Sequence, residues 1–439
     1  MNKGTFACSV FAACVMTFYG SYAAAAGLAI MEQSIKGLGT AFAGGAAAAE
    51  DAATIFFNPA GLTRLPRSQV TAGIHLLLPS ADFSDHGSTH LTGQRLSGGN
   101  GGNAGSPLLI PNLYYSYRMN DRLTVGLGLF SPFGLRTNYD STWAGRYHAI
   151  KSDLFNLNIN PAVAYRVTDK LSIGAGLSAQ YLKAKLSNAI DFGTIFTALG
   201  ATGMAPQMND GFVTFKGDSW SWGYNLGALY EFTSDTRAGI AYRSRIDHTL
   251  NGDANFSGVP SPNPTGRFID SRVKADVTLP DSLSVSIWHN FTKELAAMAD
   301  ITWTNWSTVE ELRIRFDNPA ESDAVTTVLW EDTYRFSVGA VYMPGAWTFR
   351  TGVAFDQSPV TDAARRTPRV PDSDRIWLAA GIGYKISKNV SVNAGYAHLF
   401  VDESETRKNA TGEDQFRGGL TGSYKSSVDI ISSEITWEF

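Results

Sequence analysis

Residues 155–165 read Phe-Asn-Leu-Asn-Ile-Asn-Pro-Ala-Val-Ala-Tyr. Along an extended chain, Phe155, Leu157, Ile159, Pro161, Val163 and Tyr165 fall on one side and Asn156, Asn158 and Asn160 on the other. Successive side chains of a β-strand point to opposite faces, so this segment makes a strand with one apolar and one polar face. The apolar face starts and ends on an aromatic ring. Ten steps of ~3.3 Å, tilted by about 40°, rise on the order of 25 Å, the height of the apolar band between the aromatic girdles of an outer-membrane barrel. Residues 220–230 repeat the span from Trp220 to Tyr230, and residues 122–130 and 334–342 alternate in the same way. A soluble sandwich also alternates, but has no reason to bracket its apolar face with rings.

The pattern recurs along the chain. Short polar turns after an aromatic residue, such as Tyr117-Arg-Met-Asn-Asp-Arg-Leu, Tyr165-Arg-Val-Thr-Asp-Lys-Leu and Tyr384-Lys-Ile-Ser-Lys-Asn-Val, join one alternating run to the next. Six such turns between seven hairpins give 14 strands, and longer connections near 81–107, 132–152, 189–211, 253–271, 307–328, 358–373 and 402–423 close the other end. An even strand count with short turns at one end and long loops at the other is the bacterial outer-membrane arrangement. Charged residues make up 17% of the 439 positions, below the ~25% of soluble domains, which fits lipid contact. A formal charge of −4 gives no footing for nucleic acid. The expected fold is therefore all-β, a 14-stranded antiparallel transmembrane barrel embedded in outer-membrane lipid. Ile435, Trp437 and the terminal Phe439 form an aromatic last strand that resembles the signal read by the outer-membrane assembly machinery. A monomer is expected. Within the loop at 189–211, Ile190, Phe192, Ile195, Phe196, Leu199 and Met204 have the spacing of a short amphipathic helix, either packing between loops or offering an external apolar landing site.

Residues 1–25 have the grammar of a secretory signal: Lys3, an apolar stretch from Phe6 to Phe18, and small residues ending at Ala25. Both cysteines, Cys8 and Cys14, lie inside it, so the exported chain carries no disulfide. Residues 26–67 do not alternate; they are rich in Gly and Ala and hold Ile55-Phe56-Phe57-Asn58-Pro59-Ala60-Gly61-Leu62. Pro59 should end a helix near Asn58, because the residue before proline is pushed out of the helical region. A 14-stranded barrel is too wide for its own side chains to fill, so this segment is expected inside the lumen as a plug, with the barrel spanning 68–439.

Here the chain resembles the long-chain fatty acid transporter family of Gram-negative outer membranes, the FadL/TodX type. The resemblance rests on Gly37-Leu38-Gly39 with Ala41, on Glu50-Asp51, and on Asn58-Pro59-Ala60-Gly61-Leu62. Further pieces keep their order: Ile110-Pro111-Asn112, Ser131-Pro132-Phe133-Gly134, Tyr242-Arg243-Ser244, Phe355-Asp356-Gln357-Ser358-Pro359 and Pro371-Asp372-Ser373-Asp374-Arg375. The family implies an N-terminal hatch and passive uptake of hydrophobic compounds across the outer membrane, either fatty acids and related lipids or aromatic hydrocarbons. It implies no cofactor and no enzymatic activity. It further implies that the leading residues, Ala26, Gly27 and Leu28 among them, reach the ligand pocket and shift to release ligand, with Asn58, Pro59 and Ala60 in the hatch. An indentation in the third strand, at about 122–132, would let ligand leave sideways. Gly126, Gly128 and Pro132 are the candidates there, although the two glycines could equally make room for the hatch and Pro132 begin a loop.

Parity places Arg243, Arg245, Arg335, Arg350 and Arg375 on lumen faces, where each could bind a carboxylate head group or brace the hatch through ion pairs. Phe130, Trp288 and Trp377 also point inward, as apolar lining or as packing against the hatch. A loop-based adhesin would use the long loops but has no need of a hatch. An outer-membrane hydrolase would need a Ser–His pair, and the sequence holds no Gly-x-Ser-x-Gly elbow or metal-ligand cluster.

Overall fold

The computed structural model describes residues 28–439. The expected signal, its cleavage point, both cysteines and the gating candidates Ala26 and Gly27 lie outside the described residues.

Fourteen antiparallel strands form one closed wall. They are β1 (Gln69–Asp85), β2 (Leu108–Arg118), β3 (Leu123–Phe130 and Leu135–Asn138), β4 (Lys151–Arg166), β5 (Leu171–Asp191), β6 (Asp210–Glu231) and β7 (Thr236–Arg243 and Ile246–Ser257). The circuit continues with β8 (Ser271–Leu279 and Ser282–Asn290), β9 (Leu295–Thr304 and Glu311–Phe316), β10 (Ala324–Thr327 and Thr333–Tyr342) and β11 (Trp347–Asp356). It ends with β12 (Arg375–Lys385), β13 (Val390–Val401 and Ser404–Arg407) and β14 (Thr421–Glu438). Closure is made by β1, which pairs with β2 on one side and with β14 on the other, from Gln69 opposite Glu438 to Asp85 opposite Gly422. Among the described residues the sheet thus closes on itself into a barrel, the form a spanning sheet needs in a membrane.

The two faces of the wall follow the alternation. Asn156, Asn158 and Asn160 are fully buried toward the lumen, while Val163 and Tyr165 on the other parity are exposed. Trp220, Trp222, Tyr224 and Leu226 stand on the outer surface, as do Tyr334, Phe336, Val338 and Tyr342. Several strands run on past the apolar belt into the region expected as loop: β5 has 21 residues and β6 has 22. The loop helix is a short one, α4 (Phe192–Ala198), capped by the Asp191 side chain, which accepts from the Thr194 N–H at 2.9 Å.

The wall is interrupted in two places. Between the Phe130–Asn158 and Leu135–Leu154 pairs, β3 advances five residues while β4 advances four. The extra residue is a bulge, and above Leu129 the strand parts from β2. The second interruption crosses four neighbouring strands at one height: β7 after Arg243, β8 after Leu279, β9 after Thr304 and β10 before Thr333. In β7 the cause is again one extra residue, since it advances 14 residues from Arg243 to Ser257 while β6 advances 13 from Phe212 to Asn225.

The N-terminal segment folds into short pieces: α1 (Ile35–Gly39), α2 (Gly45–Ala48), α3 (Thr54–Phe57) and a 3₁₀ turn (Pro59–Arg64). Small residues allow this tight path. α3 ends before Asn58, whose extended backbone satisfies the steric demand of Pro59. The Asn58 side chain then caps the next turn by accepting from the Ala60 N–H at 3.0 Å, and donates to the carbonyls of Ala46 (2.6 Å) and Ala228 of β6 (3.0 Å). A Cβ on Gly227 would stand 1.9 Å from that Asn58 side chain, so only glycine lets the segment sit this close to the wall. Leu38, Ile55 and Leu62 are fully buried against inward-facing residues of the strands.

Candidate functional site

The lumen divides along the barrel axis. Toward the short-turn end it is filled by residues 28–65. Toward the long-loop end lies an apolar cavity of about 210 Å³. Its walls come from Leu135, Leu154, Leu186, Phe215, Leu250 and Val273, one inward residue from each of β3 to β8, with Val328, Trp330 and Val370 from the loop side and Leu28 from below. The strands produce this cavity by changing the character of their inner face. On β4 the inward run is Asn160, Asn158, Asn156 and then Leu154; on β7 it passes from His248 to Leu250 and Ala254. Trp306 packs edge-on against Trp330 at 5.1 Å and against Phe133 at 6.5 Å, closing one side.

One cation lines this cavity from the loop between β11 and β12. Arg369 is buried, and its guanidinium donates to the Lys151 carbonyl (3.2 Å), Ser152 Oγ (3.2 Å) and Asn188 Oδ1 (3.1 Å). None of these partners is a carboxylate. Burial, with the Arg417 charge nearby, draws the guanidinium down to about 9, as expected of a cation lacking a counter-ion.

Leu28 is the described gating candidate that reaches the cavity. It sits there because the leading residues complete the bulge in β3: Ile30 N–H donates to the Pro132 carbonyl at 2.8 Å, Gly134 N–H donates to the Leu28 carbonyl at 2.9 Å, and the Gln33 side chain donates to Ser131 at 2.8 Å. Gly126 faces Ile55, which a Cβ would approach to 2.7 Å, and Gly128 lies under the Phe130 and Tyr114 rings. Both glycines thus make room for the segment and its packing.

Most ligand candidates read from the sequence contact the N-terminal segment and not the apolar cavity. Arg335 donates to the Ala41 carbonyl at 2.7 Å and lies over the Phe42 and Trp377 rings. Arg350 pairs with Glu50 at 2.8 Å. Trp288 is buried beside Ala43 and Ala47, and Phe130 meets Phe56 edge-on at 5.3 Å. Trp377 packs on Phe42 at 6.0 Å. Arg375 binds Asp372 at 3.0 Å, with Asp356 at 3.5 Å. Arg243 donates to the Phe56 carbonyl at 2.8 Å and lines a smaller cavity of about 70 Å³ between the segment and the wall. Arg245 is a correction: its side chain is 59% exposed, facing outward beside Asp247. The bulge in β7 inverts parity between Arg243 and Ile246, so alternation counted straight through it points Arg245 the wrong way. The cavity-lining aliphatic residues were missed, though their signal was present: in the outer part of these strands the two faces exchange character, with Leu154, Leu186, Leu250 and Val273 inward beside Asp153, Lys185, Asn251 and Lys274 on the other parity.

Among the described residues, His75 bonds Ser432 at 2.7 Å and His248 bonds Ser219 at 2.8 Å. Both rings are buried, and none of the four residues lines the apolar cavity.

The family model described as outer membrane protein transport protein (OMPP1/FadL/TodX) matches residues 16–439. A long-chain fatty acid transport protein of Escherichia coli K12 is 31% identical over 404 residues, covering 85% of this chain and 87% of the relative. Outer membrane protein P1 of Haemophilus influenzae is 30% identical over 403 residues, covering 85% and 86%. Among solved structures, a Pseudomonas aeruginosa FadL homologue superposes with a TM-score of 0.86 at 24% identity, covering 94% of this chain and all of the other. The Pseudomonas putida toluene transporter TodX superposes with a TM-score of 0.69 at 20% identity, covering 92% and 98%. The closed barrel of 14 strands, the leading segment packed on its inner face and the match along the chain together identify this protein as a member of the OMPP1/FadL/TodX family of outer membrane transport proteins.

Proposed function

We propose that this protein carries long-chain fatty acids passively across the outer membrane, with residues 28–65 as a movable hatch. The observation that carries the fatty-acid reading is Arg369, a buried cation on an apolar cavity with only neutral partners. An aromatic hydrocarbon would leave that charge uncompensated. An alkyl carboxylate would supply the missing counter-ion and bury its chain, at about 0.8 kcal/mol per CH₂. The apolar loop cluster of Phe192, Phe196 and Phe268, with Leu199 and Met208 exposed beside it, suits first capture from outside. Release follows when the leading residues leave the bulge in β3, freeing the Pro132 carbonyl and the Gly134 N–H and opening the seam above Leu129 for sideways exit.

The test is binding of hexadecanoic acid and of toluene to the purified protein and to its Arg369→Met variant. A charge-assisted hydrogen bond is worth about 1.5–3 kcal/mol, so the variant should bind the acid roughly 10- to 100-fold more weakly. Equal affinity of both proteins for the acid, or binding of toluene alone, overturns the fatty-acid reading.

A further inference from the structure

We propose a side port into the apolar cavity, through the wall between β8 and β9, that admits single-chain amphiphiles lying in the outer-leaflet headgroup zone. The inference rests on reading that cavity as the ligand site.

The ladder between these strands is broken. Above the break, Ala275 pairs with Ile314; below it, Ser282 pairs with Thr304. Six residues of β8 therefore face nine of β9, three too many for continuous pairing. The excess is taken up by a 3₁₀ turn, Trp306–Thr308, and by residues that turn toward β10, where Val328 and Leu329 N–H donate to the Glu310 carbonyl and Trp330 N–H to that of Val309. On the opposite side, residues 276–279 of β8 stay paired with β7. The Asn305 N–H to Asp281 carbonyl bond, at 3.0 Å, is the last rung below. Among the described residues, no ladder pair joins 276–280 to 306–313.

The cavity reaches this gap. Asp276, Val277 and Thr278 on one side of the unpaired stretch and Val309, Glu311 and Leu312 on the other all line it. Asp276 is also half exposed on the outer surface, where it meets Arg315, so at the break the cavity lining extends to an outward-facing residue.

Height fixes what could use the opening. The outward Trp303 lies just below it, paired with Tyr334 at the end of the apolar belt. The outer rim is charged: Arg315 binds Asp276, and Arg313 bridges Glu311 (2.5 Å) and Asp323 (3.0 Å), with each Arg side chain about two-fifths exposed. Such a rim belongs in the headgroup layer and not in hydrocarbon. An amphiphile anchored there would present its head to the rim and its chain to Val277, Val309 and Leu312.

Residues 28–439 contain no cysteine, so single thiols report cleanly. The full protein is placed in lipid nanodiscs containing phosphatidylethanolamine with a maleimide on its headgroup. Val277→Cys, inside the port, should react about tenfold faster than Leu154→Cys across the cavity, while soluble N-ethylmaleimide reacts with both at rates within about threefold. Equal labelling of the two by the lipid reagent overturns the port. Independently, Val309→Trp should slow capture of pyrene-labelled hexadecanoic acid delivered in nanodisc lipid about tenfold more than it slows capture from water. Equal slowing of both routes, or of neither, overturns it. If the wild-type protein captures no pyrene acid by either route, the cavity reading itself falls; capture that is intact but indifferent to these substitutions removes the port alone.

Discussion

The two halves of the lumen solve opposite problems. The outer half is a largely apolar space with Arg369, a buried cation bonded only to neutral groups, on its wall. The inner half combines apolar packing with a polar seam, where Lys36 bridges Asp51 (2.9 Å) and Glu434 (4.0 Å), Arg350 holds Glu50, and Arg335 holds a hatch carbonyl. Several buried polar atoms in that seam lack partners, among them both carboxylate oxygens of Glu32 and Nε and Nη1 of Arg335. Apolar contacts such as Phe42 on Trp377 hold the segment against the wall. The polar contacts beside them, some left unfilled, can be exchanged for water at smaller net cost. On the proposed function, the outer half holds ligand and the polar part of the hatch seat lets go.

The largest effect should come from breaking the seam. Lys36→Met leaves Asp51 and Glu434 buried without their cation, and loss of one partner of a buried pair costs about 3–5 kcal/mol. Amide exchange in α1 should accelerate accordingly, with exchange in the strands around the cavity unchanged. A smaller effect is expected from acidity. Burial pushes the Glu32 carboxyl from its ordinary 4.5 up to about 7. The seated hatch therefore keeps a proton that a hydrated Glu32 would release. Below pH 4.5 both states hold it and seating is indifferent; as pH rises from 4.5 to about 7, seating weakens by about 1.4 kcal/mol per unit, and above that the penalty is constant. Hatch exchange should speed up across this window, and Glu32→Gln should remove the slope.

Asn58→Ala should cost about 1–2 kcal/mol, because one side chain both caps the 3₁₀ turn and ties it to Ala46 and Ala228. Protease nicking within 28–65 would report it. The smallest change belongs to the apolar half: Leu186→Ala should weaken hexadecanoic acid binding by about 1 kcal/mol with hatch exchange unaltered. If the Leu186 and Lys36 variants disturb binding and seating alike, the division between the halves fails.

Much of the wall was legible because a lipid-facing strand has to alternate. Phe155 to Tyr165 and Trp220 to Tyr230 carry both the period and the ring-to-ring height, and the helix stop at Asn58 followed from Pro59 alone. What failed did so for local reasons. Arg245 was misplaced because one inserted residue in β7 reverses parity without marking the sequence. Arg369 was passed over because it lies in a loop, where no period says that the chain folds inward. Arg243, Arg335, Arg350 and Arg375 do face inward, and their partners, carbonyls and carboxylates of the N-terminal segment among them, come from distant parts of the chain that periodicity does not bring together. The β8–β9 break was invisible for a related reason, since register between two strands is a property of neither one.

The central claim, that ligand is held above and released by movement below, is tested most directly by tethering the hatch. A Cβ on Gly339 of β10 would stand 3.2 Å from Cβ of Ala43, close to disulfide range, and 2.9 Å from Cβ of Thr40, so the pair Ala43→Cys and Gly339→Cys, with Thr40→Gly to make room, gives a tether that can be oxidised and reduced. Uptake of labelled hexadecanoic acid would be measured in a deletion strain carrying this variant. The account predicts that oxidation stops uptake while binding persists and that reduction restores it; uptake at the wild-type rate by the oxidised protein would contradict it.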